Sequence, residues 1–206
     1  MRRFGLGLGF LLLAMLGAPM AAHAQTATPQ PPAGQARATF AGGCFWCVES
    51  DFDKVPGVLS TTSGYIGGTK ETATYSQVSA GSTDHIEAVE IVYDPTKVTY
   101  QKLLDYFWRH VDPLTKDAQF CDRGRQYGTA IFTHGEEQKS LAEASKKQVE
   151  GILEGKVYTE IRAAGPFYVA EDYHQDYYLK NPQRYKFYRW NCGRDQRVEQ
   201  VWGGKK

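Results

Sequence analysis

The sequence has almost no net charge, because 24 Lys and Arg residues stand against 23 Asp and Glu residues, giving +1 at pH 7. Surfaces that bind nucleic acid typically have clusters of basic residues interleaved with aromatic residues. The sequence has no such cluster. We therefore expect no nucleic-acid partner. The 206 residues fit one domain of ordinary size plus appendages. A core of that size needs neither disulfides nor a metal to fold.

The chain also lacks a long apolar run of the kind that spans a membrane. Its one apolar stretch, residues 4–20, is punctuated by glycine and short against the ~20 residues of a spanning helix. Two arginines precede this stretch, and Ala22-His23-Ala24 after it is a small-x-small cleavage site. This is the layout of a secretory signal peptide, which we favour over a membrane anchor.

The predicted organisation is therefore a signal peptide over residues 1–24 and a flexible Pro/Ala/Gln-rich spacer over 25–36. A single catalytic domain would occupy residues 37–206, with an irregular C-terminal extension over about 183–206. The mature protein should be exported, most simply to a periplasm. We expect a monomer with no stable membrane association after cleavage.

Cysteine is scarce, with four residues: Cys44, Cys47, Cys121 and Cys192. A bridge between Cys44 and Cys47 would close almost no loop and would stabilise little, so this pair indicates redox or metal chemistry. Val48 stands where a c-type haem attachment needs histidine, which excludes that reading. A four-cysteine zinc site is disfavoured because the other two cysteines come singly from distant loops. We predict no metal.

Cys44 follows two glycines, and Phe45, Val48 and Phe52 then recur at the i, i+3, i+7 spacing of one helix face. Cys44 should therefore lie in the first turn of a helix, where unpaired N–H groups and the dipole favour an anion. Such positions lower the pKa of a cysteine thiol. We interpret Cys44 as a nucleophilic or redox cysteine.

The hydrophobic pattern from Arg37 predicts the order β-α-β-β-α-β, followed by a further helix and strand. That order suits a two-layer α/β sandwich with a ferredoxin-like core, in the α+β class. Two long polar connections, 66–84 and 112–126, interrupt it, and long loops in compact domains are often functional. A short helix should start at Glu171 and end near Pro182.

The residues around Cys44 suit a small apolar group and a proton donor. Phe45 and Trp46 form an apolar wall for a methyl group, and Glu87 on a strand can act as a general acid if burial raises its pKa. The polar loops add Tyr75, Asp122 and Tyr127 as hydrogen-bonding groups. Such a site fits reduction at a sulfoxide sulfur, among several thiol chemistries.

Two other classes remain open from the residues alone. A thioredoxin-like dithiol exchange protein also begins a helix with Cys-x-x-Cys after a strand. A secreted binding domain stapled by disulfides would need no catalytic thiol at all.

The chain resembles the peptide methionine sulfoxide reductase A family over about residues 37–182. One short motif would carry little weight, but many motifs occur here in the same order. The matching stretches are Gly43-Cys44-Phe45-Trp46, Gly64-Tyr65-Ile66-Gly67-Gly68, Tyr75, Asp84-His85-Ile86-Glu87-Ala88-Val89, Tyr93-Asp94-Pro95, Phe107-Trp108, His110-Val111-Asp112-Pro113, Asp122-Arg123-Gly124, Gln126-Tyr127 and Glu171-Asp172-Tyr173-His174-Gln175.

The resemblance implies a ferredoxin-like sandwich that reduces the S epimer of methionine sulfoxide, free or in proteins, in oxidative-damage repair. Cys44 then matches the nucleophile and Glu87 the acid that protonates the sulfoxide oxygen. The expected substrate-binding residues are Phe45 and Trp46 around the methyl group, with Tyr75, Tyr127, Asp122 and His174 nearby. No metal or organic cofactor is implied.

Position 47 departs from the resemblance, because much of the family has glycine there and this chain has cysteine. Attack on a sulfoxide leaves a cysteine sulfenic acid, which condenses with a second thiol. Cys47 is favoured by proximity, and Cys192 lies where many family members keep their resolving cysteine. The sequence leaves that choice open and marks Cys121 as a bystander. Thioredoxin or a thioredoxin-like protein would reduce the final disulfide.

Overall fold

A computed structural model describes residues 28–205, so the predicted signal peptide over residues 1–24 lies outside the described range. The last part of the predicted spacer contacts the domain at Thr28. The Thr28 N–H donates to the carbonyl of Phe167 at 3.3 Å, and its hydroxyl donates to the Glu90 carboxylate at 2.9 Å. The flexibility of the spacer stays a prediction. Within the described range, no helix has the length and apolar character needed to cross a membrane.

Strands and helices alternate along the described chain. Their bounds are β1 (Ala36–Gly42), α1 (Phe45–Phe52), β2 (Val58–Ile66), α2 (Tyr75–Ser79), β3 (Ile86–Tyr93), α3 (Tyr100–Trp108), β4 (Ala118–Gln119), β5 (Asp122–Arg123), β6 (Thr129–Thr133), α4 (Glu136–Leu153), β7 (Glu160–Ala163), β8 (Phe167–Val169), α5 (Tyr177–Lys180), α6 (Pro182–Asn191) and α7 (Arg194–Trp202).

The main sheet has the strand order β7-β6-β1-β3-β2-β8. Its four inner strands, β6-β1-β3-β2, pair antiparallel throughout, which is the arrangement of a split βαβ sandwich. At the two edges, β7 is parallel to β6 and β8 is antiparallel to β2. The predicted α+β class with a ferredoxin-like core is confirmed. The strands β4 and β5 form a separate two-stranded ribbon.

Alternation along the strands separates two apolar clusters. Phe40 of β1 faces the helices and stacks between Phe52 of α1 and Phe107 of α3, with ring centroids 5.2 and 5.0 Å apart. Its neighbour Ala41 belongs to a smaller cluster on the other side of the sheet. Because successive side chains of β3 also alternate, Glu87 shares the helix-facing side with Val89. Glu87 therefore reaches the start of α1.

The C-terminal segment differs from its prediction, because it forms two helices rather than an irregular extension. Pro182 is at the first position of α6, where its fixed φ suits a helix and its missing N–H costs nothing. The Trp202 indole of α7 is buried and donates to the carbonyl of Val111 at 3.0 Å. Neither helix has a strong apolar stripe, so tertiary contacts rather than sequence period decide this segment.

Three smaller elements also departed from expectation. The polar connection 66–84 contains α2, which carries Tyr75. The helix predicted from Glu171 begins later, at Tyr177, and is only one turn long. The edge strand β8 was missed, because three residues are too few to show a strand period.

Candidate active site

A cavity of about 70 Å³ lies at the start of α1. Seven of the ten predicted site residues line it, and one residue that was not predicted, Tyr188 of α6, completes the lining. The predicted seven are Cys44, Phe45, Trp46, Tyr75, Glu87, Asp122 and Tyr127. Cys47, Cys192 and His174 lie outside the lining. The fold thus brings together residues from α1, α2, β3, the ribbon and α6.

Cys44 is at the N-cap of α1, one residue before the first turn in which it was predicted. Its carbonyl accepts a hydrogen bond from the Cys47 N–H at 3.1 Å, so the two cysteines share one turn of chain. Gly43 before it has φ +82°, and a Cβ there would meet the side chain of Gln119 at 2.6 Å. The turn that presents Cys44 therefore requires glycine at position 43.

The charge distribution of the cysteine pair differs from expectation. Burial raises the pKa of Cys44 well above its usual value, and the neighbouring Cys47 and Glu87 raise it further. A hydrogen bond from Cys44 lowers the pKa of Cys47, and the positive charges of Arg194 and Arg189 add to that effect. Of the two thiols, Cys47 therefore ionises more readily than Cys44, because burial at Cys44 outweighs the pull of the helix N-terminus.

Glu87 is a fully buried carboxyl on β3. Its Oε2 accepts a hydrogen bond from the Phe45 N–H at 3.1 Å, which fixes it against the residue after Cys44. Burial raises the pKa of Glu87 to about 8, although that hydrogen bond opposes the shift. The carboxyl is consequently protonated at neutral pH, which is the state a proton donor needs.

His174 lies behind the aromatic wall of the cavity rather than in it. The Trp46 indole Nε1 donates to Nδ1 of His174 at 2.9 Å, and the Trp46 ring stacks on Tyr177 at 3.7 Å. His174 also packs against Phe45, with ring centroids 4.9 Å apart. Burial lowers the pKa of His174 to about 4, so the imidazole is neutral and Nδ1 is an acceptor. His174 thus supports Trp46 from behind the cavity lining, and its role in substrate binding stays a prediction.

The remaining lining residues are hydroxyl and carboxyl groups. Burial raises the pKa of both Tyr75 and Tyr127, so both phenols stay protonated and can donate hydrogen bonds. The Tyr75 N–H is held by the carboxylate of Glu171 at 2.9 Å. Asp122 accepts a hydrogen bond from the Tyr188 hydroxyl at 2.6 Å. These groups form the polar part of the cavity lining, which also includes Phe45 and Trp46.

The four cysteines form one disulfide and one free pair. Cys121 and Cys192 are bonded to each other, whereas Cys44 and Cys47 are free and buried. Cys192 is therefore not a free thiol in this state, and the description of Cys121 as a bystander in the thiol chemistry stays a prediction. Cys121, Asp122 and Cys192 are close enough to share a metal ion, but both sulfurs are taken up by the disulfide.

Sequence reasoning missed Tyr188 because α6 was taken as irregular. The usable signal was its spacing to Cys192, four residues later, which places both on one face of a helix begun by Asn181-Pro182. Because Cys192 was predicted to lie near the active site, a helix that carries both residues would have placed Tyr188 there as well.

These features define a thiol-based redox site with an adjacent proton donor. The profile of the family described as "Peptide methionine sulfoxide reductase" matches residues 36–206. The chain is 50% identical to the peptide methionine sulfoxide reductase MsrA of Bacillus licheniformis over 170 residues, which cover 82% of this chain and 94% of that protein. It is 48% identical to MsrA of Bacillus subtilis, covering 82% of this chain and 96% of that one.

Solved structures agree with these relatives. The reduced form of Mxr1 from Saccharomyces cerevisiae superposes with a TM-score of 0.71 at 34% identity, covering 75% of this chain and 90% of that one. Methionine sulfoxide reductase A of Corynebacterium diphtheriae gives a TM-score of 0.66 at 36% identity, with coverage of 73% and 77%. The chain belongs to the peptide methionine sulfoxide reductase family. Both the resemblance stated from the sequence and the enzyme class, a peptide-methionine (S)-S-oxide reductase, are confirmed.

Proposed function

We propose that the cavity reduces the S epimer of methionine sulfoxide, free or in proteins, through Cys44. The observation that carries this proposal is the meeting of three groups in one space of about 70 Å³. The Cys44 sulfur faces the aromatic rings of Phe45 and Trp46, and the protonated Glu87 carboxyl lies beside it. A sulfoxide needs a sulfur nucleophile, a seat for its methyl group and a proton at its oxygen.

In the first step, the methyl group of the substrate packs on Phe45 and Trp46 while Glu87 donates its proton to the sulfoxide oxygen. The Cys44 sulfur attacks the substrate sulfur, and the protonated oxygen then moves to the Cys44 sulfur as both its bond to the substrate sulfur and the new sulfur–sulfur bond break. The products are the thioether methionine and a Cys44 sulfenic acid. The thiol proton of Cys44 replaces the proton that Glu87 gave. The high pKa of the resting thiol is consistent with this coupled transfer, because the proton leaves only as the oxygen becomes basic.

Cys47 resolves the sulfenic acid in this scheme. It is free, lies three residues from Cys44, and has a lowered pKa that favours its thiolate. The Cys47 sulfur displaces the hydroxyl group from the Cys44 sulfenic acid, which forms a disulfide and releases water. Cys192 is bonded to Cys121 and so has no thiol with which to compete.

A thioredoxin-like dithiol then reduces the Cys44–Cys47 disulfide. Mxr1 has also been solved in complex with Trx2, and that structure superposes on this chain with a TM-score of 0.52 at 26% identity over the aligned residues. That complex supports the same class of reductant here, with electrons supplied by dithiol exchange and no metal or organic cofactor.

We also propose that the protein is exported and repairs oxidised methionine in exported proteins, most simply in a periplasm. This part rests on the sequence layout of residues 1–24. N-terminal sequencing of the protein recovered from a periplasmic fraction tests it. A mature chain that begins at Gln25 supports export, and an uncleaved chain in the cytoplasm rules it out.

The reaction itself is tested by one turnover without added reductant. The reduced enzyme is mixed with each resolved epimer of N-acetyl-methionine sulfoxide, and both methionine and the protein's disulfides are measured by mass spectrometry. We expect about one equivalent of product from the S epimer alone and a Cys44–Cys47 disulfide, with Cys121–Cys192 unchanged. No product from either epimer would refute the proposal and leave dithiol exchange as the alternative.

A further inference from the structure

Glu171 does not line the cavity, but both oxygens of its carboxylate accept hydrogen bonds from residues beside it. Oε1 accepts from the backbone N–H of Tyr75 at 2.9 Å, and Oε2 accepts from the hydroxyl of Tyr65 at 2.8 Å. Accepting at both oxygens is the pattern of an ionised carboxylate, and hydrogen bonds to a charged acceptor are stronger than neutral ones. One side chain thus joins β2 to the start of α2, although Glu171 and Tyr75 are 96 residues apart in sequence.

The Tyr65 end of this link is firmly held by the sheet. Tyr65 is fully buried on β2, and it is paired with Glu87 of β3 in the antiparallel register. Residues directly opposite each other in an antiparallel pair place their side chains on the same face. The Tyr65 hydroxyl therefore anchors Glu171 to the face of the sheet that carries the proton donor Glu87.

The Tyr75 end of the link lies at the start of a very short helix. α2 has five residues, of which Val78 alone is buried, and a helix of that length is not stable through its own hydrogen bonds. The first N–H groups of a helix have no partner within it, and Thr74 before it offers no capping hydrogen bond. Glu171 provides the missing acceptor. It therefore helps to fix where α2 begins and where Tyr75 enters the cavity.

We propose that Glu171 is a positioning residue, which fixes Tyr75 relative to Glu87 so that the Tyr75 hydroxyl and the Glu87 carboxyl act on the same sulfoxide oxygen. Tyr75 and Glu87 both line the cavity. Glu171 does not touch the substrate and acts through Tyr75. Its effect on turnover rests on the proposed function, whereas the link from Glu171 to Tyr75 stands without it.

The neighbouring His174 side chain is not part of this link. Its Nε2 lies 3.9 Å from Glu171 Oε2, beyond hydrogen-bond distance, and has no hydrogen-bond partner among the residues that the structure describes. His174 supports Trp46 through its other ring nitrogen. A change at Glu171 should therefore disturb Tyr75 and leave Trp46 in place.

The first test measures the hydrogen bond itself and needs no substrate. Glu171→Leu removes both acceptors, whereas Glu171→Gln can still accept from the Tyr75 N–H and donate to the Tyr65 hydroxyl. Hydrogen exchange of the Tyr75 amide, followed by NMR, should be about fivefold or more faster in Glu171→Leu and close to unaltered in Glu171→Gln. Asp172→Leu, which changes the exposed acid next in the chain, is the matched control and should leave the exchange unaltered. Unaltered exchange in Glu171→Leu would overturn the link.

The second test follows the release of methionine in a single turnover with N-acetyl-methionine sulfoxide. Glu171→Leu should slow the release by about 10–10²-fold, the range for a misplaced or lost reacting group. Glu171→Gln should keep most of the rate, and Asp172→Leu should keep all of it. A loss in Glu171→Gln as large as that in Glu171→Leu would mean that the charge of Glu171 matters rather than the position of Tyr75, and would overturn the proposal.

The third test asks whether Glu171 acts through Tyr75. In a Tyr75→Phe background, which already lacks the hydroxyl, Glu171→Leu should slow the release little further, because two changes that act on one contact are not additive. The inhibition constant of N-acetyl-methionine amide, which has no sulfoxide oxygen, should be the same in Glu171→Leu as in the unaltered protein. Additive losses, or a raised inhibition constant, would assign the effect of Glu171 to the general shape of the cavity and overturn the positioning role.

Should Glu171→Leu fold poorly, Tyr65→Phe makes the same comparison, because it removes only the anchoring hydroxyl. Tyr65→Phe should slow the release in the protein with Tyr75 and not in the Tyr75→Phe background, and an unchanged rate in both would overturn the anchor. Failure of the unaltered protein to release methionine at all would count against the proposed function, while exchange of the Tyr75 amide would still decide the link to Glu171.

Discussion

The backbone N–H of Phe45 donates to Oε2 of Glu87 at 3.1 Å, joining the start of α1 to the middle of the sheet. An N–H group in the first turn of a helix has no partner within the helix and needs an acceptor. Glu87 provides that acceptor and is held, by the same bond, beside the nucleophile that precedes Phe45. The bond therefore sets the distance between the attacking sulfur and the proton donor.

Replacing Glu87 by glutamine tests its role as the acid. Glutamine keeps an acceptor for the Phe45 N–H but has no carboxyl proton to give, so turnover should fall by about 10²–10⁴-fold with little change in stability. Glu90 is the matched control, since it is also buried on β3 but contacts Arg37 at 3.3 Å on the other side of the sheet. Glu90→Gln should keep its kcat. Equal losses in both variants would assign the effect to folding.

The pH dependence of turnover should follow the same carboxyl. Its pKa of about 8 means that Glu87 donates a proton below that pH and loses this ability above it. We expect kcat to fall as pH rises through about 8. The raised pKa also means that the contribution of Glu87 to stability is present below its unfolded pKa near 4.5 and is lost as pH rises towards 8. A kcat that stays level to pH 9 would contradict the assignment.

Removing His174 should affect substrate binding more than chemistry. In His174→Phe, packing against Phe45 and Tyr75 is kept, but the Trp46 indole loses its acceptor. We expect KM to rise several-fold while kcat changes little, measured in steady state with a dithiol reductant. His134→Phe is the control, because His134 bonds Thr39 away from the cavity. A selective fall in kcat would instead place His174 in the chemical step.

Burial lowers the pKa of His174 to about 4, so the contribution of His174 to the free energy of unfolding depends on pH under acid conditions. Its contribution is present above the ordinary pKa of histidine and is lost as pH falls through about 4.

Cys47→Ser separates reduction from resolution. The variant should release about one equivalent of methionine and then stop, with the Cys44 sulfenic acid trapped by dimedone, because serine cannot form the disulfide. The control, Cys121→Ser/Cys192→Ser, should still form the Cys44–Cys47 disulfide. Detection of a Cys44–Cys192 bond in the unaltered protein after turnover would show that the C-terminal disulfide exchanges and that Cys47 is not the only resolver.

Gly64 lies on β2, where this strand pairs with the edge strand β8. Replacing it by a residue with a side chain should destabilise this edge of the sheet. A Cβ at this position would collide with the ring of Phe167 and the carbonyl of Tyr168, both in β8. Gly64→Ala should therefore lower the free energy of unfolding in urea by about 1–3 kcal/mol, the usual cost of overpacking. Gly165→Ala, where a Cβ meets no atom within 4 Å, is the control and should be close to neutral. Equal stability of the two variants would contradict the packing of β8.

Much of the fold and most of the cavity were predictable from the sequence for two reasons. Strand alternation in Ile86–Tyr93 and the apolar face of α1 are local patterns, so the α+β class follows from periodicity. The face of Glu87 was predicted wrongly, opposite Val89, whereas the alternation of β3 puts the two residues on the same side. The resemblance then selected seven residues that the fold does place around one cavity. Their catalytic roles stay predictions.

What the sequence could not supply depends on contacts between distant segments. The bond between Cys121 and Cys192, the entry of Tyr188 into the cavity and the position of His174 behind Trp46 all need α5 and α6 folded back on α1. The pKa of Cys44 is a further case, since the sequence showed a helix start but not the burial that opposes it. The sequence by itself determined which chemical groups the site contains: a cysteine thiol, two aromatic side chains and a carboxyl group. Only the tertiary structure decided which cysteines are bonded, which thiol ionises more readily and which further tyrosine lines the cavity, because burial and proximity arise from packing.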